Sequence, residues 1–301
     1  MHETVLLAET IDLLNIRPAG VYVDCTYGRG GHTKELLQRL DSDGRLLAID
    51  RDPAAIVSGQ GSLHDRRLEL VHERFSKVGQ LLEARQLREQ ADGILMDLGV
   101  SSPQLDDPDR GFSFRGSGPL DMRMDPTTGI TASEWLASAS EVELRECLWE
   151  LGEERHARRI ARKIVAVRMN EPITETLQLA ALIKQVVPGG KSRIDPATRT
   201  FQALRLKTNS ELEELSVGLV HASENLRVGG RIVVLAFHSL EDRIVKRYFR
   251  NLCRSTKTST AAGEGPQFHL PNRKPTRPGV EEVTRNPRAR SARLRVLERI
   301  A

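Results

Sequence analysis

Cysteine is scarce in this chain of 301 residues: only Cys25, Cys147 and Cys253 occur, far apart and odd in number. No C-x-x-C is present, which argues against a zinc knuckle and against a disulfide framework. The eight histidines are scattered without H-E-x-x-H spacing, so no metal site is expected. The cysteine usage fits a reducing compartment, the cytoplasm. No apolar run of about 18 residues exists, so no membrane-spanning helix is expected. The opening MHETVLLAETIDLL lacks a basic segment and a small-residue cleavage site, and reads as mature protein.

The chain is 39% hydrophobic and 29% charged, a globular balance. Its net charge of +4 is unevenly spread. Residues 251–301 hold eleven Lys/Arg against four Glu, and the remainder is slightly acidic. A basic tail of this kind fits either a polyanion partner, most often nucleic acid, or a solvated segment.

Strands and helices alternate over the first hundred residues. Strands are predicted at 21–25, 45–50, 68–72 and 93–98, with helices at 32–40, 53–60 and 77–86 between them. That alternation implies right-handed crossovers and a parallel α/β sheet. The rhythm breaks at 101–125, a Gly/Pro/Ser/Asp-rich stretch read as a long loop. Helical patterns then run over 131–139, 141–151, 153–168 and 174–187, and on through PATRTFQAL and NSELEELSVGLVHASENL. A strand returns at 230–237, followed by a helix at 240–251, a loop to about 282 and a last strand at 292–297. The expected organisation is one α/β domain, residues 1–105 and 206–301, interrupted by a helical insertion at 106–205.

The segment DCTYGRGGHTKELL follows the first strand. Gly28, Gly30 and Gly31 permit close backbone approach to a ligand, ahead of a helix N-terminus with free N–H groups. Asp50 ends the second strand about 20 residues later, placed for the hydroxyls of an adenosine ribose. The set fits NAD and fits S-adenosylmethionine. Two departures favour the second. Asp24 would repel a diphosphate and attract a cation, and the third glycine of G-x-G-x-x-G is absent. Asp97 ends the fourth strand in GILMDLGVSS, beside the cofactor strand. It is placed to accept the hydrogen of an exocyclic amine, to contact the cofactor, or to cap the turn.

The motifs GRGGHT, LLAIDRDPAAI, GILMDLGVSSPQLDDPDRGFSFR, GPLDMRMD, GEERHARRIARKI, PATRTFQALRL, NSELEEL and GGRIVVLAFHSLEDRIVK together resemble the RsmH (MraW) family. These are bacterial S-adenosylmethionine-dependent methyltransferases acting on N4 of a decoding-centre cytosine, cytosine-1402, of 16S rRNA. The resemblance spans nearly the whole chain. It implies a Rossmann-like methyltransferase domain with an inserted helical domain for rRNA recognition. It also implies cofactor contacts at Gly30, Gly31, His32, Asp50, Phe75, Asp97 and Gln104, the partner being 16S rRNA within the small ribosomal subunit. The oligomeric state stays open, a homodimer among the options.

Other features carry expectations of their own. GEERHARRIARKI sets Arg155, Arg158, Arg159, Arg162 and Lys163 on one helical face, suited to an RNA backbone or else paired with Glu153 and Glu154. In FHSLEDR, Ser239 is expected to cap a helix with Asp242 as its capping-box partner, and His238 to face the target base. A Ser-His-Asp hydrolase is excluded by the missing G-x-S-x-G elbow. The D/N/S-P-P-Y motif of many amino-group methyltransferases is also missing, so no aromatic is assigned to stack the base. The rival readings are an NAD-dependent oxidoreductase and a non-catalytic RNA-binding assembly factor.

Overall fold

The computed structural model describes residues 3–187, 195–254 and 267–301. The first stretch runs α1 (Leu7–Leu14), β1 (Val21–Asp24), α2 (Gly31–Arg39), β2 (Arg45–Asp50), α3 (Pro53–Ser62), β3 (Leu68–His72), α4 (Val78–Ala84), β4 (Ala91–Asp97). Six helices follow: α5 (Ser102–Asp106), α6 (Ala132–Ser138), α7 (Glu141–Glu150), α8 (Ala157–Arg168), α9 (Thr176–Val186) and α10 (Thr198–Asn209). The chain then forms α11 (Glu211–Asn225), β5 (Leu226–Ala236), α12 (Ser239–Arg254), β6 (Phe268–His269), α13 (Val280–Arg285) and β7 (Arg293–Arg299).

These elements form two compact units, Met1–Gly99 with Leu212–Ala301, and Val100–Glu211. In the first unit seven strands make one sheet in the order β3-β2-β1-β4-β5-β7-β6. Strands β1 to β5 pair with one another in parallel, while β7 runs antiparallel to both β5 and β6. The fold class expected from the alternating pattern is therefore present. Sheet order reverses between β1 and β4, and that switch point is where open α/β sheets hold ligands.

Side chains alternate across the sheet. Val23, Leu47, Ile49, Ile94, Met96, Ile232 and Val234 face α4, α11 and α12 in one core. Tyr22, Leu46, Leu95, Val233, Leu235 and Val296 face α1 and α2 in another. Strands covered on both faces must be apolar throughout, which is why β4 reads as a continuous apolar run.

The second unit is helical, and its starts follow local chemistry. Thr131 with Glu134 and Ser140 with Glu143 form reciprocal capping boxes that begin α6 and α7. Its bounds are wider than the expected insertion at 106–205 for packing reasons. Val100 and Leu105 pack on this unit's core. At the other end Asn209, 2% exposed, donates to the Met122 carbonyl (2.7 Å) and accepts from the Met124 N–H (2.8 Å).

Three expectations need correction. The stretch 101–125 is not wholly loop: it contains α5 and a 3-10 turn at Pro108–Arg110. The predicted helix at 153–168 begins only at Ala157, because Glu153 takes a left-handed φ of 48°. The basic tail is only partly built into the fold over 267–301, and Arg273, Lys274, Arg277 and Arg290 stay exposed. There Arg293 and Arg295 grip Asp242, Arg285 pairs with Glu3, and Arg299 with Glu89.

Candidate active site

Four strands deliver residues to the carboxyl edge of the sheet. Asp50 ends β2, Asp24 ends β1, Asp97 ends β4, and His238 follows β5. In register, Asp24 lies beside Leu95 and Asp97 beside Leu235. The acids are therefore neighbours by sheet topology, not by sequence.

The glycine turn is built by its contacts. Gly28 and Gly30 have φ of 54° and 70°, the left-handed region that favours glycine. A Cβ on Gly30 would lie 2.7 Å from the Tyr27 hydroxyl. Asp50 stabilises the turn from the next strand: one carboxylate oxygen accepts from Gly28 N–H at 2.7 Å, the other from Asp52 N–H at 2.8 Å. No side chain caps α2, so its N-terminus is open to an acceptor from a ligand.

Asp24 corrects the sequence reading in part. It is expected to meet a cation directly, yet it is only 1% exposed. Its oxygens accept from Thr26 N–H (3.1 Å) and the Thr33 hydroxyl (2.7 Å). The side chain is turned inward and ties the turn to α2, and its charge acts through its field. Burial raises its pKa above the ordinary carboxylate value, against those two hydrogen bonds.

Asp97 is the most perturbed acid that still reaches the surface, its side chain 26% exposed. Its backbone N–H donates to the Thr26 hydroxyl at 2.7 Å. Oδ2 lies 3.6 Å from His32 Nδ1, and Oδ1 has no hydrogen-bond partner. Burial first, then the negative charges of Asp24 and Glu241, push its pKa up to about 8. His32 is 4% exposed and its pKa is pushed down to about 4 by burial, so the ring is neutral. Its Nε2 also lacks a partner. Burial likewise raises Asp50 to about 6. Among the described residues, no Lys or Arg pairs with Asp24, Asp50 or Asp97.

His238 Nε2 is buried and has no hydrogen-bond partner among the described residues. Its Nε2 lies 3.1 Å from Glu241 Oε1, and Glu241 N–H points at its Nδ1 from 3.4 Å. Glu241, 3% exposed in its side chain, also accepts from Phe237 and His238 N–H at 2.8 and 3.2 Å. Glu241 thus takes the part expected of Asp242. Asp242 is drawn instead to Arg293 and Arg295, each at 2.7 Å. Glu241 is the residue that reading the sequence missed. The only signal was an acid at a first-turn position, one residue before the acid that was chosen.

Phe75 follows β3 in a 3-10 turn, with its ring laid on Gly218 of α11, where a Cβ would lie 2.6 Å away. It is partly buried against the α11 core. Gln104 belongs to the second unit, where its side chain completes the capping box of α5 with Ser101.

In the second unit Arg158, Arg159 and Arg162 are exposed on α8, opposite the buried Ile160, Ala161 and Ile164. With Lys163, Ala166 and Val186 they line a groove of about 660 Å³. Arg155 lies before the helix and off its periodic face. The alternative pairing with Glu154 is absent: Glu154 is 4% exposed and accepts from His156 N–H.

The chain is similar over its whole length to known methyltransferases. Ribosomal RNA small subunit methyltransferase H of Nitrosospira multiformis is 51% identical, the match covering 99% of this chain and 97% of that protein. Proteins of the same name from Chromobacterium violaceum and Methylococcus capsulatus are 51% and 50% identical, covering 100% and 98% of this chain and 96% and 100% of theirs. The sequence model of the MraW methylase family matches residues 1–300, and the chain belongs to that family.

Proposed function

We propose that the protein transfers a methyl group from S-adenosylmethionine to N4 of a cytosine in small-subunit rRNA, the decoding-centre cytosine-1402 of 16S rRNA. The observation that carries this reading is the set of three carboxylates at the switch point, Asp24, Asp50 and Asp97, without a Lys or Arg partner among the described residues. Such acids need a cation, and a diphosphate would worsen their repulsion. A sulfonium with an α-ammonium group fits, and NAD does not. The unpartnered Oδ1 of Asp97 and the uncapped N-terminus of α2 supply the remaining polar contacts.

The roles divide by position. Asp50 holds the glycine turn and offers its edge to the ribose hydroxyls. Gly30, Gly31 and His32 open α2 to the ligand's carboxylate, with Asp24 beneath them. Phe75 lies past β3, where its ring covers one side of an adenine; Gln104 is a further proposed cofactor contact. S-adenosylmethionine, when bound, supplies an electrophilic methyl group on a positively charged sulfur. A cation beside Asp97 lowers its pKa and makes it an anion. Asp97 then accepts an N–H of the cytosine amine, which returns lone-pair density to that nitrogen, and it is placed to receive the proton that leaves afterwards. This general-base contribution is of order 10²–10⁴ in rate. The groove on α8 supplies phosphate contacts from Arg159, Arg162 and Lys163, with Arg155 at its margin.

Incubating the protein with methyl-labelled S-adenosylmethionine and small ribosomal subunits lacking the modification tests the reading. Label at N4 of that cytosine is expected. Absence of label in the rRNA, with the cofactor bound, would instead favour a non-catalytic assembly factor.

A further inference from the structure

The segment Glu3–Leu6, ahead of α1, lies across the glycine turn. Thr4 Oγ1 occupies the place of a Gly31 side chain: a Cβ there would sit 2.0 Å from it and 3.1 Å from Thr4 Cβ. Gly31 is the first residue of α2 and does not have a positive φ. Its lack of a side chain is therefore demanded by Thr4, not by the backbone. One residue on, the backbone of Val5 lies beside His32, whose Nδ1 is 3.6 Å from Asp97 Oδ2.

This segment is held by residues from the far end of the sequence. Leu6 N–H donates to Glu282 Oε1 at 2.8 Å. The Glu3 carboxylate pairs with Arg285 at 3.0 Å, and its carbonyl accepts from Asn286 Nδ2 at 3.2 Å. Leu6 itself is 1% exposed and has a φ of 49°. A buried side chain on a left-handed residue makes a fixed point. Outside it the Glu3–Arg285 pair is about half exposed, 44% and 58%, and is readily screened by salt.

We infer that Glu3–Leu6 is a strap that sets the cofactor turn, with Thr4 seating Gly31, and Glu282 and Arg285 holding the strap closed over the bound cofactor. The inference rests on the reading of this turn as the S-adenosylmethionine site. Glu282 and Arg285 are positioning residues: they touch the strap and act on the cofactor only through it.

The test measures release of S-adenosylmethionine by stopped-flow competition, alongside KM, kcat and the thermal midpoint. The double variant Glu282→Ala with Arg285→Ala loses one hydrogen bond and one exposed pair, and should release the cofactor about tenfold faster. Its KM should rise with kcat little changed. In the wild-type protein release should quicken between low and molar salt. In the variant it should already be fast and less salt-dependent. A second pair removes dependence on α13: Gly31→Ala should abolish binding, and adding Thr4→Gly should restore it. Wild-type release rates in the folded double variant would overturn the strap. So would salt-independent release in the wild type, or failure of Thr4→Gly to rescue Gly31→Ala. Failure of the wild-type protein to bind S-adenosylmethionine would instead overturn the reading of the site, and the strap with it.

Discussion

Asp97 illustrates how one residue acquires a function from its surroundings. An aspartate ordinarily ionises near 3.8, and here burial and two neighbouring acids raise it to about 8. A carboxyl raised in the folded state binds a proton that the unfolded chain has lost. The ligand-free protein should therefore lose stability as pH rises from about 4 to about 8. Urea midpoints across that range should fall, and Asp97→Asn should flatten the slope. Asp50 adds a smaller window, from its ordinary value to about 6. Cofactor binding reverses the sign: a cation favours the ionised form, so affinity for S-adenosylmethionine should increase towards pH 8. Calorimetry in buffers of different ionisation enthalpy should show a proton released on binding. Asp97→Ala should lower kcat by about 10² or more; methylation at the wild-type rate would remove Asp97 from the chemistry.

At the scale of elements, the N-terminus of α12 is held by two adjacent acids with different tasks. Glu241 accepts two backbone N–H groups, and Asp242 binds two arginines of β7. Removing Glu241 leaves buried donors unsatisfied, and Glu241→Ala should destabilise by about 1–3 kcal/mol. Asp242→Ala strands arginines against the sheet and should cost about 3–5 kcal/mol, read from urea unfolding. Replacing Asp242 together with Arg295 by apolar residues of similar volume should recover much of that loss. Were the expected Ser239–Asp242 capping box the true arrangement, Glu241→Ala would be nearly neutral and Asp242→Ala would cost only about 1 kcal/mol.

For the whole molecule, charge is sorted by sign. The first unit gathers carboxylates at one edge of its sheet, and the second exposes cations along α8. Arg158, Arg159, Arg162 and Lys163 have no acidic partner among the described residues. Reversing Arg159 and Arg162 to Glu should weaken rRNA binding and lower its salt slope by about 0.7 for each lost contact to a single strand. Cofactor affinity should be unchanged. Equal loss of both would mean damage to the fold, which a thermal melt would reveal. In the described part of the tail Arg285, Arg293, Arg295 and Arg299 are committed to acids of the first unit, while Arg273, Lys274, Arg277 and Arg290 stay exposed.

Periodicity and local chemistry determined much by sequence alone. The apolar runs of β1, β2, β3 and β4, the glycines before α2 and the acids closing the strands follow from rules that act within a few residues. So do the capping boxes of α6 and α7, which lie three residues apart. Only the tertiary structure decided which acid faces what. Asp24 is turned inward because the Thr33 hydroxyl, in the first turn of α2, donates to it, and Glu241 rather than Asp242 accepts the N–H groups ahead of α12. Part of the basic tail joins the fold because β7 pairs with β5, some sixty residues earlier in the chain. The seat of Gly31 against Thr4 is equally invisible in sequence, since glycine there reads as a flexible turn residue. These choices depend on partners that are close in space and distant along the chain, where no short-range pattern records them.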